Sequence, residues 1–182
     1  MMDVRMSDLQ ELIAGCKCRD NVARKKLYEL YAPAMLGVCV RYLGDKETAR
    51  DILHEGFIKV FTKIDSFSGA GSFEGWMRKI FVTTALEYLR SAKIWQISDL
   101  SEAEEIRDNF SIGVIERLSA EEILQCINEL PAGFKTVFNL YAIEGYSHAE
   151  IARILHIQEA SSRSQFARAR QLLQTKIREK QS

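Results

Sequence analysis

Residues 147–170 read SHAEIARILHIQEASSRSQFARAR, and this stretch decides the fold of the C-terminal part of the chain. Ser147 and Glu150 have the spacing of a capping box. A helix is therefore predicted to begin at Ser147 and to carry three apolar residues on one face, Ile151, Ile154 and Leu155. A second helix is predicted to open near Glu159. Together the two segments predict a helix-turn-helix.

The second helix of this pair has two unlike faces. Its apolar side carries Ser162, Phe166, Ala169, Leu173 and Ile177 at helical spacing. Its opposite side carries small, polar or basic residues, Arg163, Ser164, Ala167 and Gln171, with Arg168 and Arg170 at the margins. A narrow apolar back and a basic, hydrogen-bonding front suit insertion into the major groove of DNA. The alternative is a surface helix whose charged face is merely solvated.

Charge is unevenly distributed along the chain. The 25 basic and 25 acidic residues cancel, so net charge gives no general attraction to nucleic acid. From residue 160 to residue 180, however, six basic residues stand against one acidic residue. From residue 95 to residue 119, six acidic residues stand against two basic ones. These two segments are therefore expected to have different partners or roles.

Several classes of protein are disfavoured. No apolar run reaches membrane length and the N-terminus lacks a signal-peptide core, which predicts a cytoplasmic location. The cysteines, Cys16, Cys18, Cys39 and Cys126, have no zinc spacing and are predicted to be free thiols. The pair His54-Glu55 lacks the second histidine of a zincin motif, because that position is Ile58. We therefore predict no enzymatic activity, no cofactor and no metal.

The pattern predicts an all-α fold of two small helical domains joined by a flexible linker. Predicted helices cover 7–15, 20–43, 46–64, 73–93, 119–129, 132–144, 147–155 and 159–178. Capping boxes are predicted at Ser7 and Ser119, helix stops at Gly44 and Gly145, and a helix start at Pro131. The predicted domains are 1–94 and 119–182, and the acidic segment 95–118 is the predicted linker.

The helix predicted after Asp45 separates an apolar face from a mixed one. The apolar face consists of Ala49, Ile52, Leu53, Gly56, Phe57, Val60 and Ile64. Helical stepping places four residues together on the opposite face, Asp51, His54, Glu55 and Ile58. An exposed isoleucine beside carboxylates and an imidazole suits docking of a basic protein partner. The alternative is an ordinary polar face with one stray isoleucine.

The helix predicted from Phe73 to Lys93 is apolar on more than one side. Its core stripe is Phe73, Met77, Ile80, Phe81 and Thr84, with Trp76 at the border. Its far side is predicted to carry Lys79, Val82, Thr83, Leu86, Arg90 and Lys93. Basic side chains interleaved with small and aliphatic ones can follow a phosphate backbone. The preceding loop could hold an unstacked base beside Trp76, although Trp76 could equally be a core residue.

Three segments, taken in order, resemble the extracytoplasmic-function sigma factors of the sigma-70 family. They are the run from Ala49 to Phe57, the run from Ser72 to Ile80, and Leu130-Pro131 followed by the helix-turn-helix. The resemblance covers nearly the whole chain, as region 2, a linker and region 4. It implies a protein that binds core RNA polymerase, recognises the −10 and −35 promoter elements and helps to melt DNA. It also leaves an anti-sigma factor open as a further partner.

The resemblance assigns roles to particular residues. Asp51, His54, Glu55 and Phe57 match the polymerase-binding motif, and Ile58 shares their helix. Ser161, Arg163, Ser164, Ala167 and Arg168 match the helix that reads the −35 element, with Arg170 beside them as a candidate phosphate contact. The expected −10 surface consists of Trp76, Lys79, Thr83, Arg90 and Lys93.

The chain departs from the family pattern at several positions. The family usually has glutamine at His54, asparagine at Thr83, glycine at His156, and Gly-Thr-Val at Ala160-Ser161-Ser162. Polymerase binding is expected to survive the first change, because an imidazole can still donate a hydrogen bond. The changes at Thr83 and Ala160 lie near the bases, so no promoter sequence is predicted.

Two other functions compete with the sigma-factor interpretation. One is an ordinary helix-turn-helix regulator whose N-terminal domain binds a ligand or dimerises. The basic side of the Phe73 helix argues against it, since such a regulator needs no second DNA surface. The other is a helical adaptor that binds only proteins, and the basic recognition helix argues against that.

Overall fold

The computed structural model describes residues 6–92 and 119–181, and all regular structure within them is helical. The first four helices are α1 (Met6–Lys17), α2 (Asn21–Leu43), α3 (Lys46–Lys63) and α4 (Phe73–Ser91), with a 3-10 turn at Ile64–Ser66. The last four are α5 (Ala120–Asn128), α6 (Ala132–Phe138), α7 (His148–Leu155) and α8 (Glu159–Gln181). A π-helical segment, Asn139–Ile143, follows α6. No helix in these described ranges is long and apolar enough to cross a bilayer.

The all-α prediction and the positions of the predicted helices are confirmed. One difference is that the helix predicted over 132–144 changes to π-helical bonding at Asn139. Contacts divide the chain into two compact units after Tyr88. The predicted linker, 95–118, lies outside the described residues.

Side-chain caps and a left-handed glycine set the limits of the second and third helices. Asp20 accepts a hydrogen bond from the Val22 amide at 2.9 Å, and Asp45 accepts one from the Thr48 amide at 2.7 Å. Gly44 ends α2 with a φ of 79°, a conformation that glycine adopts without steric cost. The helix stop predicted at Gly44 is confirmed.

Two of the three predicted capping boxes are present. The Ser119 amide donates to Glu122 at 2.8 Å, and the Ser147 amide donates to Glu150 at 2.8 Å. Each serine hydroxyl accepts a hydrogen bond from the amide of its glutamate in return. The side chain of Ser7, where the third box was predicted, lies outside the described residues, and the described part of α1 begins at Met6.

The first unit is built on the apolar face of α3. All seven residues predicted for that face are buried, and α3 packs beside α2. Phe57 lies at its centre, with ring centroids 4.6 Å from Tyr28 and 5.2 Å from Phe81. Gly56 lets α4 come close, since a Cβ atom there would lie 2.2 Å from Cε1 of Phe81. The missing side chain thus sets how closely α3 and the Phe81 ring approach.

The second unit packs α8 against α5 and α6. Its core contains Cys126, Ile127, Leu130, Ala169, Leu173 and Ile177. At the rim, Lys176 pairs with Glu129 at 2.7 Å and Lys180 donates to Gln125 at 2.9 Å. The turn between α7 and α8 depends on His156, which is left-handed with a φ of 56°. The glycine that the resemblance leads us to expect at this position would adopt such a conformation without steric cost.

Gly56→Ala should lower the free energy of unfolding by about 1–3 kcal/mol, because the new methyl group must displace a packed aromatic ring. Gly37→Ala is the matched control. Gly37 lies within α2 and has no atom within 4 Å of its Cβ position, so the change should stabilise the helix by about 0.5–1 kcal/mol. Urea unfolding of wild type and the two variants measures both changes in the free energy of unfolding. Equal effects would contradict the proposed contact between Gly56 and Phe81.

Candidate nucleic-acid and partner surfaces

The outer face of α3 carries the predicted polar docking residues. Asp51, His54 and Glu55 are exposed, and Ile58 is 65% exposed beside them. Single exposed aliphatic side chains are common, so what distinguishes this face is that Ile58 lies beside two carboxylates and an imidazole. These four residues, called the α3 outer face below, combine an apolar contact point with a negative rim.

Phe57 is a correction to the predicted docking set. Its side chain is only 3% exposed and packs among aromatic rings, so it cannot contact a partner directly in this structure. Helical spacing had already placed Phe57 on the apolar face of α3, and the structure agrees with that spacing rather than with the motif match. Phe57 instead supports the α3 outer face from within.

One ion-pair cluster beside this face was missed by the sequence analysis. The Lys59 ammonium lies 2.7 Å from a carboxylate oxygen of Glu55 and 2.7 Å from one of Glu87 on α4. The pairing of Glu55 with Lys59 follows the (i, i+4) helical spacing and could have been recognised. Glu87 is 28 residues from Lys59, so only the packing of α3 against α4 brings it there.

Three of the residues predicted for the −10 surface lie exposed on α4. Lys79, Thr83 and Arg90 are exposed, and the Thr83 hydroxyl donates to the Lys79 carbonyl at 2.8 Å. Lys93 lies outside the described residues. Val82 and Leu86, placed on the same side by the sequence analysis, are buried at 3% and 5% exposure. They belong to a second buried apolar stripe of α4. The spacing of residues within one helix does not show whether such a stripe faces solvent or a neighbouring helix.

Trp76 lies half-buried beside the loop that precedes α4. Its ring is 5.5 Å from Phe67 and 5.4 Å from Phe73, measured between centroids. Phe67 and Phe73 also line an open cavity of about 590 Å³ between α1 and the loop, whereas Trp76 is not among its lining residues. Trp76 is therefore a border residue that packs behind the wall of this cavity.

The front of α8 presents the predicted reading residues. Arg163 is exposed and forms an ion pair with Glu159 one turn earlier. Ser161, Ser164, Ala167, Arg168 and Arg170 are half-buried at its margins. The Ser164 hydroxyl donates to the Ser161 carbonyl at 3.0 Å, and the Arg170 guanidinium lies 5.9 Å from the centroid of the Phe166 ring. The back of the helix is buried as predicted, apart from the half-buried Phe166.

An aromatic cluster joins the start of α8 to the preceding helices and was also missed. The rings of Tyr141 and His148 stack with centroids 4.3 Å apart and an interplanar angle of 12°. Phe166 packs against both rings. His148 Nδ1 also shares a hydrogen bond of 2.9 Å with the Ser162 hydroxyl. The cluster therefore fixes the first turns of the predicted reading helix.

The surroundings of His148 favour its neutral form. Burial lowers the pKa of His148, the positive charge of Arg163 lowers it further, and the negative charge of Glu159 partly opposes the shift. A neutral ring can stack on Tyr141 without the cost of desolvating a charge.

The described part of the chain holds no cluster of three or more potential metal ligands. The four cysteines are free thiols, as predicted. Cys16, Cys39 and Cys126 are buried, and burial raises the pKa of Cys39 to about 12.

Two family models match the chain. Sigma-70 region 2 matches residues 27–94, and sigma-70 region 4 matches residues 120–173. The chain is 29% identical over 180 residues to the ECF RNA polymerase sigma-E factor of Haemophilus influenzae, covering 92% of this chain and 94% of that protein. It is 28% identical over 175 residues to the RNA polymerase sigma-H factor of Pseudomonas aeruginosa, covering 90% and 91%.

A solved structure has a similar fold. It is the sigma factor RpoE from Bartonella quintana, crystallised in complex with the anti-sigma factor NepR. The TM-score is 0.52 with 21% sequence identity, and the match covers 85% of this chain and 96% of that chain.

The stability of the second unit should depend on pH through His148. Because the folded pKa of His148 is lowered, the unfolded chain binds this proton more readily. The contribution is therefore fully present above about pH 6.5, the ordinary value, and is lost as pH falls through the lowered folded pKa.

His148→Phe keeps an aromatic ring but cannot titrate, so this part of the pH dependence should disappear. Urea unfolding of wild type and variant between about pH 8 and about pH 5 measures it. His156→Asn is the matched control, because it removes an exposed imidazole and asparagine tolerates the left-handed backbone. A variant at position 148 that keeps the full wild-type slope would contradict the assignment.

Proposed function

The chain belongs to the extracytoplasmic-function sigma factors of the sigma-70 family, and we propose that it binds core RNA polymerase, recognises −10 and −35 promoter elements and initiates transcription. The observation that carries this proposal is the presence of region 2 and region 4 in order in one chain. An ordinary helix-turn-helix regulator has no region 2, so the family match decides against that alternative. Sigma factors are not enzymes, which agrees with the prediction of no enzymatic activity.

Each proposed domain is assigned its own binding partners. Residues 1–94 would bind polymerase and the −10 element, residues 119–182 would bind the −35 element, and residues 95–118 would join them. The limits of the two family matches support these boundaries. We place the protein in the cytoplasm, where polymerase and promoter DNA meet. An anti-sigma factor is a further proposed partner, since the similarly folded RpoE was crystallised with one.

The α3 outer face is the proposed polymerase contact. Ile58 offers apolar area at its centre, while Asp51 and Glu55 offer negative charge at its rim. An interface with an apolar centre and charged rim uses the first for affinity and the second for orientation and rate. His54 can donate a hydrogen bond where the family usually has glutamine.

The front of α8 is the proposed −35 contact. Arg163 projects from the exposed side and can offer two parallel donors to a guanine edge. In the free chain its guanidinium is held by Glu159, so DNA binding requires it to exchange a carboxylate for a base. Arg170 lies over the Phe166 ring at the margin, a position suited to a phosphate.

To test the proposal, the purified chain is mixed with core RNA polymerase and a pool of genomic fragments from the organism that encodes it. The transcripts are then sequenced. Transcripts should start at a defined set of promoters only when the chain is present. Asp51→Lys should weaken polymerase binding by about tenfold or more, because a like charge then meets a basic partner.

Glu11→Lys is the matched control for Asp51→Lys. It makes the same charge change at an exposed position of α1, on a different helix from the α3 outer face, and should bind polymerase like wild type. Polymerase binding by Asp51→Lys at wild-type strength, with helicity unchanged, would place the docking surface elsewhere. Absence of chain-dependent transcripts from every fragment would contradict the function itself.

Arg163→Ala should cost about 1–3 kcal/mol in binding to its own promoters and relax the preference at one −35 position. Arg170→Ala should weaken binding to all sequences alike and reduce the salt dependence by about one counterion. Competition binding with a randomised −35 element at several salt concentrations separates the two effects. Uniform losses on every sequence for both variants would refute the assignment of Arg163 to a base.

A further inference from the structure

Lys59 lies between two surfaces that the proposed function gives to different partners. Its ammonium contacts Glu55 on the α3 outer face and Glu87 on α4, each at 2.7 Å. The Lys59 side chain is 26% exposed, whereas Glu55 and Glu87 are 51% and 53% exposed. The lysine is thus the inner member of the cluster, and each carboxylate remains open to solvent on its own side.

Both carboxylates act on Lys59 together. Burial lowers its pKa, but the hydrogen bonds and charges of Glu55 and Glu87 outweigh burial and leave the pKa raised. Lys59 is therefore charged at neutral pH. One positive charge is shared between two negative ones, so neither carboxylate is fully neutralised.

The positive charge of Lys59 has opposite effects on the proposed roles of the two carboxylates. Glu55 must attract a basic surface of polymerase, and the Lys59 charge next to it weakens that attraction. Glu87 lies one turn after Thr83 and three residues before Arg90, on the exposed side of α4 proposed to meet −10 DNA. A bare carboxylate there would repel phosphate, and the Lys59 charge reduces that repulsion.

We propose that Lys59 is a positioning residue shared by Glu55 and Glu87, so that polymerase binding at Glu55 releases Lys59 to neutralise Glu87 on the DNA-facing side of α4. The inference rests on the proposed function and specifies how its two surfaces are coupled. A cationic group of polymerase pairs with Glu55, and Lys59 then pairs with Glu87 alone. Exposed ion pairs are individually weak, which allows this exchange to be reversible.

The proposal predicts opposite effects on the two partners, which loss of folding cannot produce. Lys59→Met keeps the length of the side chain and removes its charge. Polymerase binding should tighten by about two- to fivefold, because Glu55 loses a competing cation. Binding of the resulting holoenzyme to forked −10 promoter DNA should weaken by about two- to fivefold, because Glu87 is no longer neutralised.

Three further variants complete the test. Lys59→Arg should resemble wild type for both partners. Glu87→Gln should leave Lys59 to Glu55, giving weaker polymerase binding and tighter DNA binding. Lys59→Met combined with Glu87→Gln should return DNA binding toward wild type while polymerase binding stays tight. Fluorescence titrations with full-length chain and core polymerase, then with DNA at saturating polymerase, give both affinities.

The outcomes separate this inference from the proposed function. Opposite shifts for Lys59→Met, reversed on the DNA side by Glu87→Gln, support the shared lysine. Parallel losses for both partners, or no change for either, overturn it while wild-type binding to polymerase still stands. If wild type itself fails to bind core polymerase in the same titration, the proposed function fails as well.

Discussion

The close approach of α3 and α4 at Gly56 organises the first unit. Because Gly56 has no side chain, the ring of Phe81 fills the space that a Cβ atom would occupy. Phe57 packs against the same ring with its centroid 5.2 Å away. Once these adjacent residues of α3 are turned inward, helical geometry directs Asp51 and Ile58 outward. The same approach brings Lys59 within reach of Glu87, so packing and surface electrostatics share one origin.

In the second unit, polar and aromatic groups hold α7 and α8 together. A helix-turn-helix can read DNA only if its second helix is held firmly against the first. Here the left-handed His156 sets the turn, while His148 contacts Ser162 and Phe166 near the start of α8. Arg163 is thereby kept on the open side, where it forms an ion pair with Glu159. The front of α8 is held in place because the opposite side of the helix is packed in the core.

Local sequence signals predicted much of this architecture. The capping boxes at Ser119 and Ser147 and the stop at Gly44 depend on residues close in sequence, and the structure contains all three. The buried and exposed faces of α3 also followed from helical spacing alone. These features are local because each is decided by hydrogen bonds or directions within a few residues.

Features that depend on two distant segments were not predictable in the same way. Val82 and Leu86 look like part of a mixed outer face until the packing around α4 is known. The contact between Lys59 and Glu87 spans 28 residues, and the stack of Tyr141 on His148 crosses a turn that begins in a π-helical segment. Motif matching placed Phe57 in the predicted docking set, whereas helical spacing correctly placed it in the core.

Under the proposed function, one chain presents two surfaces to two different partners. Site-specific photo-crosslinking tests it most directly, with the reactive side chain placed at Ile58 or at Ala167 of the full-length protein. In a complex with core polymerase and promoter DNA, the probe at position 58 should capture polymerase and the probe at position 167 should capture DNA at the −35 element. Capture of DNA from position 58, or of polymerase alone from position 167, would contradict this assignment of the two surfaces.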